Sequence, residues 1–373
     1  MLYFDHAATS GSHPESVLLS VHAALKNCAN AGRGSHKLAL RHAEEVLHAR
    51  KLLCDFFDGE NYENVIFTKN CTEALNIAII GGLKAGDHAV TTCMEHNSVL
   101  RPLEALKKAG IITYDVCGLK GGRIDPQAFA SLVKPNTKLA IVTAASNVTG
   151  AANELTKIRA LLPKRVFLVV DGAQGGGHLP LKMKEDGIDA LCLAGHKGLL
   201  GIQGSGVLIF SERFRPSPIL FGGTGSESYS LDPPEFYPDA LEAGTLAFPA
   251  VKSLAEGVRY LTLHGHEIST RLYRLSAALI RGVKRIPAYR VYSEPNPCGI
   301  VALSHKNHPS EYLSLLLSQK YDAATRGGLH CAPLMHRALG TFESGLVRVS
   351  CGYDTTEKQA QTLLAALEEI AGE

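Results

Sequence analysis

The chain has 373 residues, 45% of them apolar and 20% charged, with a net charge of +2. That length argues for two domains and that balance for an ordinary globular enzyme, so neither a polyanion-binding surface nor a nucleic-acid partner is expected. MLYFDHAATS shows no basic stretch followed by an apolar run, and no apolar run approaches the roughly 20 residues of a spanning helix; neither a signal peptide nor a membrane association is expected. The nine cysteines are scattered with no CxxC pair, which argues against a disulfide framework and for a reducing cytoplasm.

Apolar β-branched runs alternate with longer amphipathic segments along the chain. Residues 64–68 read as a strand and 71–83 as a helix; 88–93 as a strand and 98–110 as a helix ended by glycine. Strands follow at 111–116, 138–146, 165–171 and 190–195. This alternation predicts βαβ units in a mostly parallel sheet covered on both faces. GSGVLIF (204–210) follows its neighbour too closely for a helical crossover and is predicted to be antiparallel. Beyond Phe248-Pro249 the pattern changes to long helical matter over 250–283. Strands at 289–294, 298–305 and 345–352, a helix at 309–321 and a closing amphipathic helix describe a smaller α+β domain.

In an open α/β sheet, ligands bind at the carboxyl ends of the strands, and five strand ends here carry polar residues. Asp171 ends RVFLVVD, where it is either a helix cap or a ligand contact. Lys197, in LAGHKGLLG, follows the next strand; it is a surface turn lysine or an amine able to form a Schiff base with an aldehyde cofactor. Such a cofactor, pyridoxal 5'-phosphate, needs an acid beside its pyridine nitrogen, and Asp171 has that charge. Cys71 and Thr72 open a helix after a strand, where free N–H groups and the helix dipole favour a phosphate; Thr72 as a plain N-cap is the alternative. His96 offers a flat ring at another strand end, and Asn147 an amide donor.

In this order these residues resemble the class V, fold-type I pyridoxal-phosphate enzymes, and within them the cysteine desulfurase and selenocysteine lyase branch. The resemblance runs through YFDHAATS, NCTEALN, EHNSVLRPL, SNVTG, VDGAQ, GHKGLLG, EAGT, RGGLHCAPL and VRVSCGYDT, nearly the whole chain. It implies a seven-stranded sheet in a large cofactor domain, 15–264, and a small domain built from 1–14 and 265–373. It implies that Lys197 holds the cofactor, Asp171 partners the pyridinium, Gln174 lies near the phenolic oxygen, and His96 stacks on the ring and moves protons. Cys71, Thr72 and His196 would contact the phosphate, and Thr245 the phosphate of the neighbouring subunit, which makes the active unit a homodimer. Asn147 and Arg348, with Arg326, would hold the substrate. One departure is Ala194, where the family has Ser or Thr two residues before the His-Lys pair.

TRGGLHCAPLMH (325–336) places Cys331 beside His330 and near His336. Alone it reads as a metal site, a packing cysteine or a nucleophile; a zinc site lacks a fourth ligand, and no metal is expected. The resemblance is to the SufS-type short loop, with Leu329 where a first histidine is usual. It implies that Cys331 takes sulfur from L-cysteine as a persulfide and leaves L-alanine. His330 and Arg326 are expected to supply positive character that favours its thiolate. A sulfur-acceptor protein is an implied partner. Alternatives keep the cofactor and change the chemistry: selenocysteine lyase acting on L-selenocysteine, cysteine-sulfinate desulfinase, or a class V aminotransferase. A non-catalytic binding protein on the same fold is the remaining reading.

Overall fold

The computed structural model describes residues 1–31 and 34–372. Its centre is a seven-stranded sheet whose strands are β1 (Val65–Thr68), β2 (His88–Thr92), β3 (Thr113–Cys117), β4 (Thr137–Thr143), β5 (Phe167–Asp171), β6 (Ala190–Ala194) and β7 (Gly206–Phe210). They lie in the order β1-β7-β6-β5-β4-β2-β3. Only β7 is antiparallel to its neighbours, β1 and β6, as the short connection before GSGVLIF requires.

Alternation along each strand divides the core in two. Phe67, Val90, Val142, Val170, Leu193 and Val207 face one apolar layer. Ile66, Ala89, Ile141, Val169, Cys192 and Leu208 face the other. With period-2 side chains and both faces covered, β5, β6 and β7 stay apolar along their length, and Asp171 enters only at the end of β5. Helices α3 (Cys71–Ile80) and α4 (Asn97–Lys108) begin at the carboxyl ends of β1 and β2.

Helices α1 (Glu15–Lys26) and α2 (Lys37–Phe56), which the periodicity reading did not single out, pack against α5 (Phe248–Val283). The expected domain boundary at 264/265 falls inside α5, which runs unbroken for 36 residues. The remaining chain forms an antiparallel sheet of β8 (Tyr289–Val291), β9 (Ile300–His305) and β10 (Val347–Ser350), with helices α6 (Ser310–Tyr321), α7 (Pro333–Leu339) and α8 (Glu357–Ala371). A capping box between Thr356 and Gln359 starts α8. The N-terminus joins this region: Leu2–Tyr3 pairs with Ala323–Ala324, and Asp5 bridges to Ser350.

Candidate active site

A cavity of about 200 Å³ lies where the strand ends of the large sheet meet Arg326, His330 and Arg348. Cys71, Thr72, His96, Asn147, Asp171, Gln174, His196 and Lys197 all line it, so five strand ends converge as the sequence implied. Ala194 lines it too, with Ser98 as an additional hydroxyl on the wall. Thr245 and Cys331 are not among the lining residues. Thr245 is exposed beside a second cavity walled by Glu242, Gly206 and Leu220. Cys331 sits just beyond the first, its Sγ 4.0 Å from Arg326 Nη2.

Asp171 is buried, and its Oδ1 accepts from Ala173 N–H at 2.9 Å and from the Cys71 thiol at 3.6 Å. Lys197 has its ammonium disfavoured: burial pulls its pKa down, opposed by Asp171 and assisted by Arg348. Its loop is held by the N-terminal segment, where Ser10 Oγ donates to the Lys197 carbonyl at 2.9 Å and Ser10 N–H to that of His196 at 2.8 Å. The His196 ring contacts Thr9 Oγ1 at 3.1 Å.

The start of α3 resolves one ambiguity. Its N-cap is Asn70, whose side chain accepts from Glu73 N–H. Thr72 is therefore not the cap, and its hydroxyl instead contacts Ser98 Oγ at 2.8 Å. Gly206 makes this helix start possible, because a Cβ there would lie 2.5 Å from the Asn70 carbonyl carbon. His96 caps α4, its Nδ1 accepting from Ser98 N–H at 3.0 Å.

Arg348 is the largest fully buried side chain. Its Nη2 donates to Asp5 Oδ1 at 2.8 Å and its Nη1 to the Asn147 carbonyl at 3.1 Å, while Nε has no partner among the described residues. The cysteine loop is zipped to β10 beside it: Arg348 N–H donates to the Arg326 carbonyl at 2.8 Å, and Arg326 N–H to that of Arg348 at 3.2 Å. Two further bonds fix the loop's tip. Asn147 Nδ2 donates to the His330 carbonyl at 2.7 Å, and Asn97 N–H to the Cys331 carbonyl at 2.7 Å. His330 and Cys331 both have left-handed backbones, φ 51° and 56°, which non-glycine residues adopt only when their surroundings impose them.

One sequence expectation changes. His330 supplies no positive charge, because burial, helped by Arg348, drives its pKa to about 3. Arg326 is the cation facing the Cys331 thiol. Gln174 places one amide N–H on the Ala7 carbonyl at 2.9 Å and Asn147 one on the His330 carbonyl at 2.7 Å, which leaves each amide a second N–H. Burial likewise holds His96 and His196 near about 4. Lys197, its ammonium disfavoured by burial, thus shares the cavity with Asp171 and two guanidiniums. Sequence assigns no role to Asp5, Ser98 or the fully buried Glu95; all three stand in the quoted motifs YFDHAATS and EHNSVLRPL, the only signal available.

The family model for aminotransferase class-V matches residues 2–363. A probable cysteine desulfurase of Methanothermobacter thermautotrophicus is 31% identical, aligned over 100% of this chain and 95% of its own length. One from Pyrococcus abyssi is also 31% identical, over 99% and 94%. Among solved structures, a cysteine desulfurase from Thermococcus onnurineus in its apo form superposes with TM-score 0.91 at 30% identity, covering 99% of this chain and 94% of that one. One from Escherichia coli shares the fold, with TM-score 0.89 at 24% identity, covering 99% and 94%.

Proposed function

The chain belongs to the aminotransferase class-V family, and from that premise we propose that it is a pyridoxal-phosphate-dependent cysteine desulfurase that converts L-cysteine to L-alanine and carries the sulfur on Cys331 as a persulfide. The donor set fits the cofactor. A buried lysine with a weakened ammonium, a carboxylate one strand away and the N-terminus of α3 match an aldehyde, a pyridine nitrogen and a phosphate. When bound, the cofactor supplies an electron sink for charge at the substrate's Cα.

The chain's own groups do the rest. Lys197 holds the cofactor and, once released, moves the proton at Cα. Arg348 orients the substrate carboxylate, and its partnerless buried Nε is the donor that such an anion would satisfy. Cys331 forms the S–S bond to the substrate sulfur as the C–S bond breaks, and the carbon left behind is protonated to alanine. Arg326 Nη2 lies 4.0 Å from Sγ, a donor that orients the sulfur toward the cavity. The doubly left-handed loop, pinned by Asn97 and Asn147, keeps the thiol beside the cavity mouth, so that positioning precedes chemistry.

The observation that carries this reading is the seating of Cys331 against Arg326 on a loop zipped to the carboxylate-binding strand. A class V aminotransferase has no use for that thiol. The test is alanine release from L-cysteine and from L-selenocysteine by wild type and Cys331→Ala. A desulfurase loses the first activity in the variant; a selenocysteine lyase keeps the second and has little of the first. Two further parts belong to the proposal: a homodimer in which Thr245 completes the neighbour's phosphate site, and a protein acceptor for the persulfide.

A further inference from the structure

Two helix N-termini meet at the cavity rim, and their second residues touch. Thr72 in α3 and Ser98 in α4 have hydroxyl oxygens 2.8 Å apart. Ser98 Oγ also lies 2.9 Å from His96 Nδ1, and Ser98 N–H donates to that same nitrogen at 3.0 Å. A backbone N–H can only donate, so Nδ1 must offer its lone pair. A neutral imidazole then carries its single hydrogen on Nε2. The cap of α4 and the ring on the cavity wall are one group, and the cap decides where the ring's proton sits.

We propose that Ser98 is a positioning residue that fixes the His96 ring as its Nε2–H tautomer, through its own N–H and hydroxyl, and ties that ring to Thr72 at the start of α3. His96 thereby presents a hydrogen-bond donor to whatever occupies the cavity. It has no free lone pair with which to take a proton, and that task is left to Lys197. Which substrate faces the ring rests on the desulfurase reading; the position of the proton is a property of the folded chain.

The experiment is nitrogen-15 NMR of the histidine rings in protein labelled at histidine, with the His96 signals identified by their loss in His96→Gln. Wild type is expected to show a pyridine-type Nδ1 and a pyrrole-type Nε2 at position 96. Ser98→Thr keeps both donors and keeps that pattern. Ser98→Ala keeps the N–H but loses the hydroxyl, so Nδ1 stays pyridine-type while its signal moves downfield with one hydrogen bond fewer, and kcat for L-cysteine falls roughly fivefold with little change in KM, the share of one ordinary hydrogen bond. A pyrrole-type Nδ1 in wild type overturns the proposal, as does a Ser98→Ala protein with wild-type ring shifts and kcat. Expected ring shifts in a protein that releases no alanine from L-cysteine support the proton assignment and remove the desulfurase reading instead.

Discussion

Arg348 shows how a single residue couples folding to binding. Its guanidinium is buried and relies on Asp5, 343 positions away, for its one carboxylate. Removing one partner of such a pair leaves a desolvated charge, at a cost of several kcal/mol when both groups are buried. Asp5 is partly exposed, so Asp5→Asn is expected to destabilise the protein by about 2 kcal/mol, read as a shift in the urea midpoint, and to raise KM for L-cysteine as the guanidinium loses its orientation. An unchanged KM would mean that Asn147 alone holds it. Glu95 makes a second residue-scale prediction. Burial raises its carboxyl to about 8, although Thr92 Oγ1 and Thr143 N–H donate to it. Between its ordinary 4.5 and about 8, the unfolded chain releases this proton and the folded chain keeps it, so its contribution to stability falls as pH rises. His96, His196 and His330 act with the opposite sign: depressed in the fold, they take up protons first when unfolded, and their contribution is lost as pH falls below about 6.5. Three histidines outweigh one glutamate below 6.5, and Glu95 prevails among these groups above it. Stability is therefore expected to fall as pH drops below 6.5, where His6, His88, His178, His305 and His336, also lowered by burial, act with the same sign, and Glu95→Gln to flatten the loss toward pH 8 in urea titrations.

At the scale of elements, strand ends were legible because burial on both faces keeps charged residues out of the central strands until they end. RVFLVVD announces its own end with Asp171, and ALCLAGHK does so with Lys197. The antiparallel β7 was legible from the length of its connection. What was not legible depends on contacts between distant segments: Ser98 against Thr72, Ser10 against the lysine loop, Asn147 against the cysteine loop. Sequence spacing is silent on these, and it also assigned to His330 a charge that only its burial removes. The junction of β7 with α3 supplies a test at this scale. In Gly206→Ala the new Cβ meets the Asn70 backbone at 2.5–2.7 Å, and backbone cannot swing aside. A loss of about 1–3 kcal/mol in stability is expected, with weaker retention of pyridoxal phosphate as the start of α3 moves. A variant that binds it as tightly as wild type would separate that helix start from the phosphate.

For the whole molecule, the segment that pairs with 243–244 carries an exposed apolar group. Leu220, Phe221, Tyr229 and Leu231 all lie on the surface, and Gly244 N–H donates to the Gly223 carbonyl there. Exposed apolar residues gathered in one segment suit an association surface. The proposed second copy would cover them and bring Thr245 to its neighbour's cavity. Sedimentation is expected to give a dimer, and Thr245→Ala to remain dimeric while losing cofactor more readily on dialysis; a monomer with full activity would contradict the shared site. The proposed desulfurase chemistry rests on Lys197 as the residue that holds the cofactor at the meeting of five strand ends. The most direct measurement is borohydride reduction of the purified protein after incubation with pyridoxal phosphate, followed by peptide mass mapping. A single covalent adduct on Lys197, with bleaching of a visible absorbance band, is the expected result; a protein that stays colourless, or whose adduct maps to a different lysine, would contradict it.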